Sequence, residues 1–436
     1  MIQKILYLRN FASQVNGASY NLQEVGLGKA LVRKGYDCDI VYYNNHKETR
    51  LEQVYRHEGC TLRIIWLHGL KFLSNSIYRD VLKDSFLAAY DLIISTEYNQ
   101  MMTYLLSRKC PDKLVLYHGP YQDHTHALVR KLYDVLLLPK VAKSVRRTYA
   151  KSDLAKCYLE NKGFDNVVTL GVGLDRSKLD RSRLDHSKSD HSKPDHSKLD
   201  HFKVERASNS ANHENSDNDG SGEYEENREV ADELRRIGDR PVLLYVGVLE
   251  ERRNIRFMLS LFKAVLQKHP DCLLLMVGDG RKADTDRYWA YAHELGLTDS
   301  ILHFSRVEQR HLWQVYGVAD LMLFPTHYDI FGMVLLESML FRVPIISSVN
   351  GGSVTLIEDG VNGVMLRGFS EEEWVGRISA MLNHTELRQS VAEQASLTVE
   401  RMSWDRIADE ILSHQPMRPV DSGRPMQPTQ ERGAAT

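Results

Sequence analysis

The chain has 436 residues, long enough for two domains each with its own core, and 42% of them are hydrophobic. A formal net charge of −2 gives no basis for nucleic-acid binding. No apolar run of about 18 residues is present, so a membrane span is not expected. The opening Met1-Ile-Gln-Lys-Ile-Leu enters a strand directly, without a signal peptide's apolar core, and the five cysteines show neither pairing nor metal-ligand spacing. Reduced thiols and a cytoplasmic protein, at most peripheral to a membrane, are expected.

Through the first half, short apolar runs alternate with helical patterns, the rhythm of a parallel sheet with crossover helices. The predicted strands are Ile5–Leu8, Asp39–Tyr43, Leu62–Leu67, Leu92–Ser95, Leu114–Tyr117, Val135–Leu138 and Val167–Leu170. A helix carrying Leu27, Ala30 and Leu31 on one face follows the first strand and stops at Lys34-Gly35. Lys140, Lys143, Arg146, Arg147, Lys151 and Lys156 are read as one basic helical stretch, a candidate contact for anionic lipid.

From Arg176 a five-residue unit repeats (RSKLD, RSRLD, HSKSD, HSKPD, HSKLD), followed by a polar stretch rich in Asn, Ser, Asp and Glu. A period of five fits neither helix nor strand, and this composition cannot bury a core. His186, His191, His196 and His201 would chelate without fixed geometry, so the segment reads as a disordered linker rather than a metal site.

The α/β rhythm restarts at Pro241. Strands are predicted at Val242–Val246, Leu273–Val277, Ile301–Phe304, Leu321–Phe324, Ile345–Ser347 and Val364–Leu366. The helices between them are Asn254–His269, Thr285–Leu295, Glu308–Ala319, Phe331–Phe341 and Glu371–Leu382, the last opened by a capping box at Ser370 and Glu373. The fold class is therefore α/β, with two Rossmann-like, doubly wound domains facing across a cleft. The expected division is 1–175 for the first domain, 176–236 for the linker and 237–402 for the second domain. A final helix at 403–414 and a disordered tail at 415–436 complete it.

Four glycine-bearing loops fall at the carboxyl ends of predicted strands, where a doubly wound sheet presents its ligand. They are Val246-Gly247 through Arg252-Arg253-Asn254, Val277-Gly-Asp-Gly280, Tyr328-Asp329 through Glu337, and Asn350-Gly-Gly-Ser353. In the third, a strand, a Phe331-Gly332 step and an apolar helix make an anion site, because the first amides of a helix have no internal partner. Asp329 precedes that helix mouth and Glu337 lies inside the helix, an arrangement suited to a ligand with a phosphate between two hydroxyl-bearing ends. A cation such as Arg253 at a helix start is unfavourable by up to ~1 kcal/mol unless an anion accompanies it. For Gly278 and Gly280 a tight turn is sufficient explanation.

The order and spacing of these segments resemble the retaining glycosyltransferases of the two-Rossmann-domain (GT-B) architecture, specifically glycosyltransferase family 4. The resemblance is best from Val242 to Gly363 and includes Ser403-Trp404-Asp405; Asp329 through Glu337 fits the family's acid-x7-Glu motif, with Asp for the usual first Glu. It implies transfer of a sugar from a nucleotide-sugar donor to a hydroxyl acceptor, with polysaccharide biosynthesis a frequent setting. It implies Glu337 on the donor's ribose, Asp329 on the transferred sugar, and the amides of Gly332, Met333 and Val334 on the distal phosphate. Arg253 takes the place of the lysine that neutralises the departing diphosphate. Gly17 belongs to the loop facing the phosphates, with Gly247, Gly278 and Gly280 nearby, and His118 stands near the sugar. No metal and no further cofactor are expected if these cations do the neutralising.

In the N-terminal half the resemblance rests on Asn16-Gly17-Ala18-Ser19, His118-Gly119, Ser152 and Gly171-Val-Gly-Leu-Asp175. The loops His68–Lys71 and Gly119–Tyr121 should shape the acceptor pocket. The chain departs from the pattern at Val248, where the family has an arginine; Arg252 or Arg256 could substitute. That departure leaves open a non-catalytic subunit or scaffold, and the architecture also hosts nucleotide-sugar epimerases.

Overall fold

The computed structural model describes residues 3–15, 22–72, 74–123, 127–175, 179 and 227–413. The first domain contains β1 (Lys4–Leu8), β2 (Asp37–Asn44), β3 (Arg50–His57), β4 (Cys60–His68), β5 (Leu70–Phe72), β6 (Asn75–Ile77), β7 (Leu92–Thr96), β8 (Leu114–His118), β9 (Arg147–Ala150) and β10 (Val168–Thr169). Eight of these form one sheet in the order β10-β9-β8-β7-β1-β2-β4-β3, while β5 and β6 pair as a separate hairpin. Neighbours in the large sheet run parallel except β3, which is antiparallel to β4.

The second domain contains β11 (Val242–Val246), β12 (Leu273–Val277), β13 (Ile301–Phe304), β14 (Leu321–Phe324), β15 (Ile345–Ser348) and β16 (Val364–Leu366), ordered β13-β12-β11-β14-β15-β16 and parallel throughout. That is the doubly wound order with its reversal between β11 and β14, the point at which such a sheet opens a crevice. The residues of β11, β12, β14 and β15 are buried along their full length. Helices cover both faces of such a sheet, so its central strands read as continuous apolar runs rather than alternating ones. The helix Ile255–Lys268 turns Ile255, Met258, Leu259, Phe262 and Val265 into that core.

The last described helix, Trp404–Ser413, returns to the first domain. Arg33 grips Asp405 with two bonds of 2.9 and 3.0 Å from Nη2, Lys34 pairs with Asp409, and Leu174 N donates to Met402 O. Trp404 fills the space that a side chain at Gly26 or Gly173 would need. One apolar core therefore includes residues from both domains, Leu27 and Trp404 among them.

The expected strand Val135–Leu138 does not form. Its residues belong to two helices, Ala127–Leu136 and Leu138–Ser144. Leu128, Leu132, Val135 and Leu136 follow a helical period in which the apolar run is only one part. The strand at this place is β9, whose four residues open on an arginine and gave no apolar signal. Consequently the six cations do not share one helix. Lys140 and Lys143 lie on Leu138–Ser144, Arg147 lies in β9, Lys151 is buried just beyond it, and Lys156 lies on the helix Asp153–Asn161. The edge strand β3, Arg-Leu-Glu-Gln-Val-Tyr-Arg-His, was too polar to be read as a strand.

Within the expected linker, Arg228–Arg235 is a helix capped by the side chain of Asn227, with Val230, Ala231 and Leu234 buried. The histidine repeat and the tail 415–436 lie outside the described residues. Ser370 caps its helix by accepting from Glu373 N, whereas the full reciprocal capping box forms at Asn350 and Ser353. The helices Gly351–Leu356 and Thr385–Arg401 were not anticipated.

Candidate functional site

A cleft of about 1070 Å³ opens at the carboxyl ends of β11, β12, β13 and β14, and Gln23 and Lys151 of the first domain complete its lining. The glycines of the strand-end loops have a specific task there. A Cβ at Gly278 would meet Gly247 O at 1.9 Å, and one at Gly280 would meet Leu249 O at 2.1 Å. Gly247 N donates to Val277 O and Leu249 N to Asp279 O, so the first two loops pack backbone on backbone. Gly351 and Gly352 press in the same way on the backbone of Asp329, Ile330 and Phe331. Gly247 and Gly278 also line the cleft, while Gly280 serves the loop packing.

The helix expected from Phe331 begins at Met333, with Gly332 as its N-cap at φ 68°, a left-handed value that suits glycine. Gly332, Met333 and Val334 all line the cleft. Asp329 closes its own loop: Oδ1 accepts from Phe331 N at 3.1 Å and from Gly332 N at 2.8 Å, and Oδ2 pairs with Arg253. A carboxylate thus sits among the donors expected to receive a phosphate. Arg253 is positioned by the short 3-10 turn Glu251–Arg253, which Asn254 ends in a left-handed conformation, and its guanidinium lies over the Phe324 ring.

Of the two candidate substitutes for the arginine missing at Val248, Arg252 lines the cleft and donates to Tyr328 O at 3.0 Å. Arg256 instead stacks over Tyr291, and Val248 itself lines the cleft with half its surface exposed. Glu337 stands behind the helix mouth with 0% of its surface exposed, and its Oε2 accepts from Tyr316 Oη at 3.1 Å. Burial pushes its carboxyl well above the usual range. The carboxyl does not line the cleft.

His118 ends β8, and its Nδ1 lies 2.6 Å from Glu97 Oε2 with both side chains buried. Glu97 holds φ 55°, a costly value for a non-glycine residue. Burial pushes its carboxyl up, but the imidazole, Lys151 and the Gly119 amide outweigh that and hold it below its ordinary value. Lys151 connects this buried group to the cleft wall. His118 is absent from that wall; its neighbour Gly119 is the residue that approaches Ile330 across the cleft, and Tyr121 packs on Tyr328 with ring centroids 4.6 Å apart. Of the expected acceptor loops, Gly119–Tyr121 thus faces the second domain, whereas Leu70 and Lys71 belong to the β5–β6 hairpin. Gly17 lies outside the described residues.

Ser152 accepts from Ala155 N at the start of its helix, and Gly171 packs near Phe331 and Met402. Both have structural tasks. Gln23, Lys151, Arg306 and Arg310 are among the cleft residues not anticipated. Arg306 and Arg310 follow β13, so the strand-end rule applied to the other loops would have found them. Lys151 was hidden by the misread β9.

Among the described residues two Asp-x-Asp triplets occur, Asp37-Cys38-Asp39 and Asp284-Thr285-Asp286, and neither lines the cleft. Asp39 pairs with Arg63 and Lys4, and Asp284 with Arg281 and Arg287. Among the described residues no group of three His, Cys, Asp or Glu is arranged to hold a metal ion.

Residues 226–398 match the family described as Glycosyl transferases group 1. D-inositol 3-phosphate glycosyltransferase of Segniliparus rotundus is 26% identical over 39% of this chain and 39% of its own length. Alpha-D-kanosaminyltransferase of Streptomyces kanamyceticus is 25% identical over 40% and 45%. The matched segment spans about two-fifths of the length of these relatives. Among solved structures, Anabaena HepE in complex with UDP superposes with a TM-score of 0.64 at 14% identity, covering 94% of this chain and 99% of that one. Sucrose-phosphate synthase of Thermosynechococcus elongatus gives 0.62 at 15% identity, covering 94% and 98%. At such identities the structural likeness concerns the fold. Residues 226–398 are similar to the group 1 glycosyl transferases, and the chain as a whole has the two-Rossmann-domain, GT-B fold.

Proposed function

We propose that the chain is a retaining glycosyltransferase that moves a sugar from a nucleotide-diphosphate donor to a hydroxyl acceptor, which is a glycan, a lipid-linked sugar or a small molecule. The observation that carries this reading is the meeting of Arg253 with the helix mouth Gly332–Val334 in a cleft at the β11/β14 reversal. Breaking the sugar–phosphate bond leaves negative charge on the departing diphosphate. A guanidinium and the amides of a helix N-terminus stabilise that charge. The likeness of the second domain to named glycosyltransferases, and of the fold to a protein solved with UDP, supports a nucleotide-sugar donor.

In this reading the diphosphate displaces the Asp329 carboxylate from the helix mouth and from Arg253, and Asp329 turns to the sugar hydroxyls. Glu337, on the same helix, exchanges its Tyr316 bond for the ribose. Arg252, Arg306 and Lys151 add positive charge around the cleft. Protein cations take the place of a divalent metal, so activity should persist in EDTA.

The test is thermal stabilisation by UDP, GDP, ADP and their sugars, in wild type and in Arg253→Ala. A selective shift that the variant loses supports the donor site. Product analysis with the matching sugar then reads the anomeric configuration, and inversion would rule out the retaining mechanism. Absence of any shift at concentrations well above a millimolar dissociation constant would overturn the reading. The second reading, a non-catalytic subunit, is favoured by Val248 and would show nucleotide binding without transfer.

A further inference from the structure

The loop that carries Asp329 is held from two sides. Its own domain supplies hydrogen bonds: Arg252 Nη1 donates to Tyr328 O at 3.0 Å, and Gly351 N donates to Asp329 O at 3.0 Å. The first domain supplies packing. Tyr121 lies on the Tyr328 ring, with centroids 4.6 Å apart and planes inclined by 37°, a separation at which aromatic pairs attract. Gly119 sits so close to Ile330 that a Cβ there would meet Ile330 Cγ2 at 2.8 Å. The residues on either side of Asp329 are therefore each pressed by the short stretch that follows β8. A third contact between the domains, Asp153 N donating to Thr355 Oγ1 at 3.0 Å, joins the helix that starts at Gly351.

Tyr328 and Asp329 line the cleft, whereas Tyr121 stands behind them. The Tyr121 hydroxyl is enclosed beside the backbone amides of Asp329 and Gly351 without a hydrogen bond of good geometry, so its ring is the part that fixes Tyr328. We infer that Tyr121 is a positioning residue for sugar transfer: through its stack on Tyr328 it sets, from the first domain, where the Asp329 carboxylate meets the transferred sugar. The inference rests on the transferase reading. In that reading an incoming diphosphate takes the Phe331 and Gly332 amides and Arg253 away from Asp329, and the freed carboxylate then owes its position to its backbone. A side chain on a locked backbone meets its ligand in one orientation, while a loosened one loses affinity for the group it should touch. The sugar, and not the nucleotide, is the part of the donor that feels the difference.

The full chain is to be titrated by calorimetry with UDP, GDP and ADP and with UDP-glucose, GDP-mannose and ADP-glucose. The quantity read is the dissociation constant of the nucleotide-sugar over that of its nucleoside diphosphate, for the pair that wild type binds most tightly. Tyr121→Ala should raise this ratio by about fivefold or more, the order of one lost hydrogen bond, while affinity for the nucleoside diphosphate stays near that of wild type. Tyr121→Phe, which keeps the ring, should restore the wild-type ratio. A ratio that does not rise in Tyr121→Ala, because both ligands weaken or tighten alike or neither changes, would overturn the inference and leave the transferase reading standing. So would a Tyr121→Phe variant as impaired as Tyr121→Ala. Binding of no nucleotide by wild type would overturn both. If Tyr121→Ala does not fold, Tyr121→Leu, which keeps the bulk without the ring, is judged by the same ratio.

Discussion

Asp329 and Arg253, 76 positions apart, form an ion pair at the mouth of the helix Met333–Leu340, and the same carboxylate accepts the amides of Phe331 and Gly332. A short acid thus fills the anion site of its own loop. Glutamate, one methylene longer, would bring its carboxylate to a different place, so the Asp-for-Glu exchange at this position has a structural consequence.

Asp329→Asn keeps an acceptor for the two amides and removes a charge of the diphosphate's own sign. Binding of the preferred nucleoside diphosphate should tighten by about two- to fivefold, matching the ~0.3–1 kcal/mol of a charge at a helix N-terminus. Sugar transfer should fall, because the sugar hydroxyls lose their carboxylate. Titration calorimetry and initial rates measure the two effects separately. Weaker nucleotide binding would mean that Asp329 orders the helix mouth rather than occupying the ligand's place.

Arg253→Ala should lower turnover by roughly 10²-fold, the usual cost of losing one fixed donor to developing negative charge. Arg253→Lys should recover part of it, since the charge returns without the planar fork. Steady-state rates of the purified variants decide; near-normal turnover in Arg253→Ala would remove this residue from the site.

Gly278→Ala should destabilise the second domain by about 1–3 kcal/mol, as overpacking does. The added Cβ would lie 1.9 Å from Gly247 O, and the backbone there holds φ 139°. Chemical denaturation measures the change, and a wild-type midpoint would mean that the two loops yield more readily than their backbone contact implies.

Glu337 has a folded-state pKa raised by burial above the ordinary 4.5. Below that ordinary value the carboxyl is protonated in both states, and its contribution is fully present. As pH rises toward the folded-state value, the unfolded chain releases a proton that the native chain keeps, and each pH unit costs about 1.4 kcal/mol. Glu337→Gln should therefore be more stable than wild type at pH 8, with a difference that shrinks toward pH 4. Equal stability of the two at pH 8 would show that the carboxyl ionises in place.

The second domain was legible nearly strand by strand, because its parallel strands are buried on both faces and read as unbroken apolar runs, Val242–Val246 and Leu273–Val277 above all. The first domain was less legible at its margins. β3 lies at an edge and is polar, β9 is four residues long, and the helix Ala127–Leu136 turns its apolar side to solvent, which reverses the usual signal. The fourth glycine loop, Asn350–Ser353, packs behind the cleft, and the three that line it were legible as glycine loops at strand ends. That the glycines of these loops admit neighbouring backbones, Gly278 against Gly247 and Gly352 against Phe331, was not.

The sequence by itself determined the two doubly wound domains and the strand ends that make the cleft, since both follow from local periodicity and from glycines placed along the chain. Only the tertiary structure decided which charges meet. Arg253 and Asp329 are far apart in sequence, Lys151 reaches the cleft from the other domain, and Glu337 lies inside the helix core rather than on its open face. Side-chain partners across loops and domains depend on how whole sheets stack, and no local pattern encodes that packing.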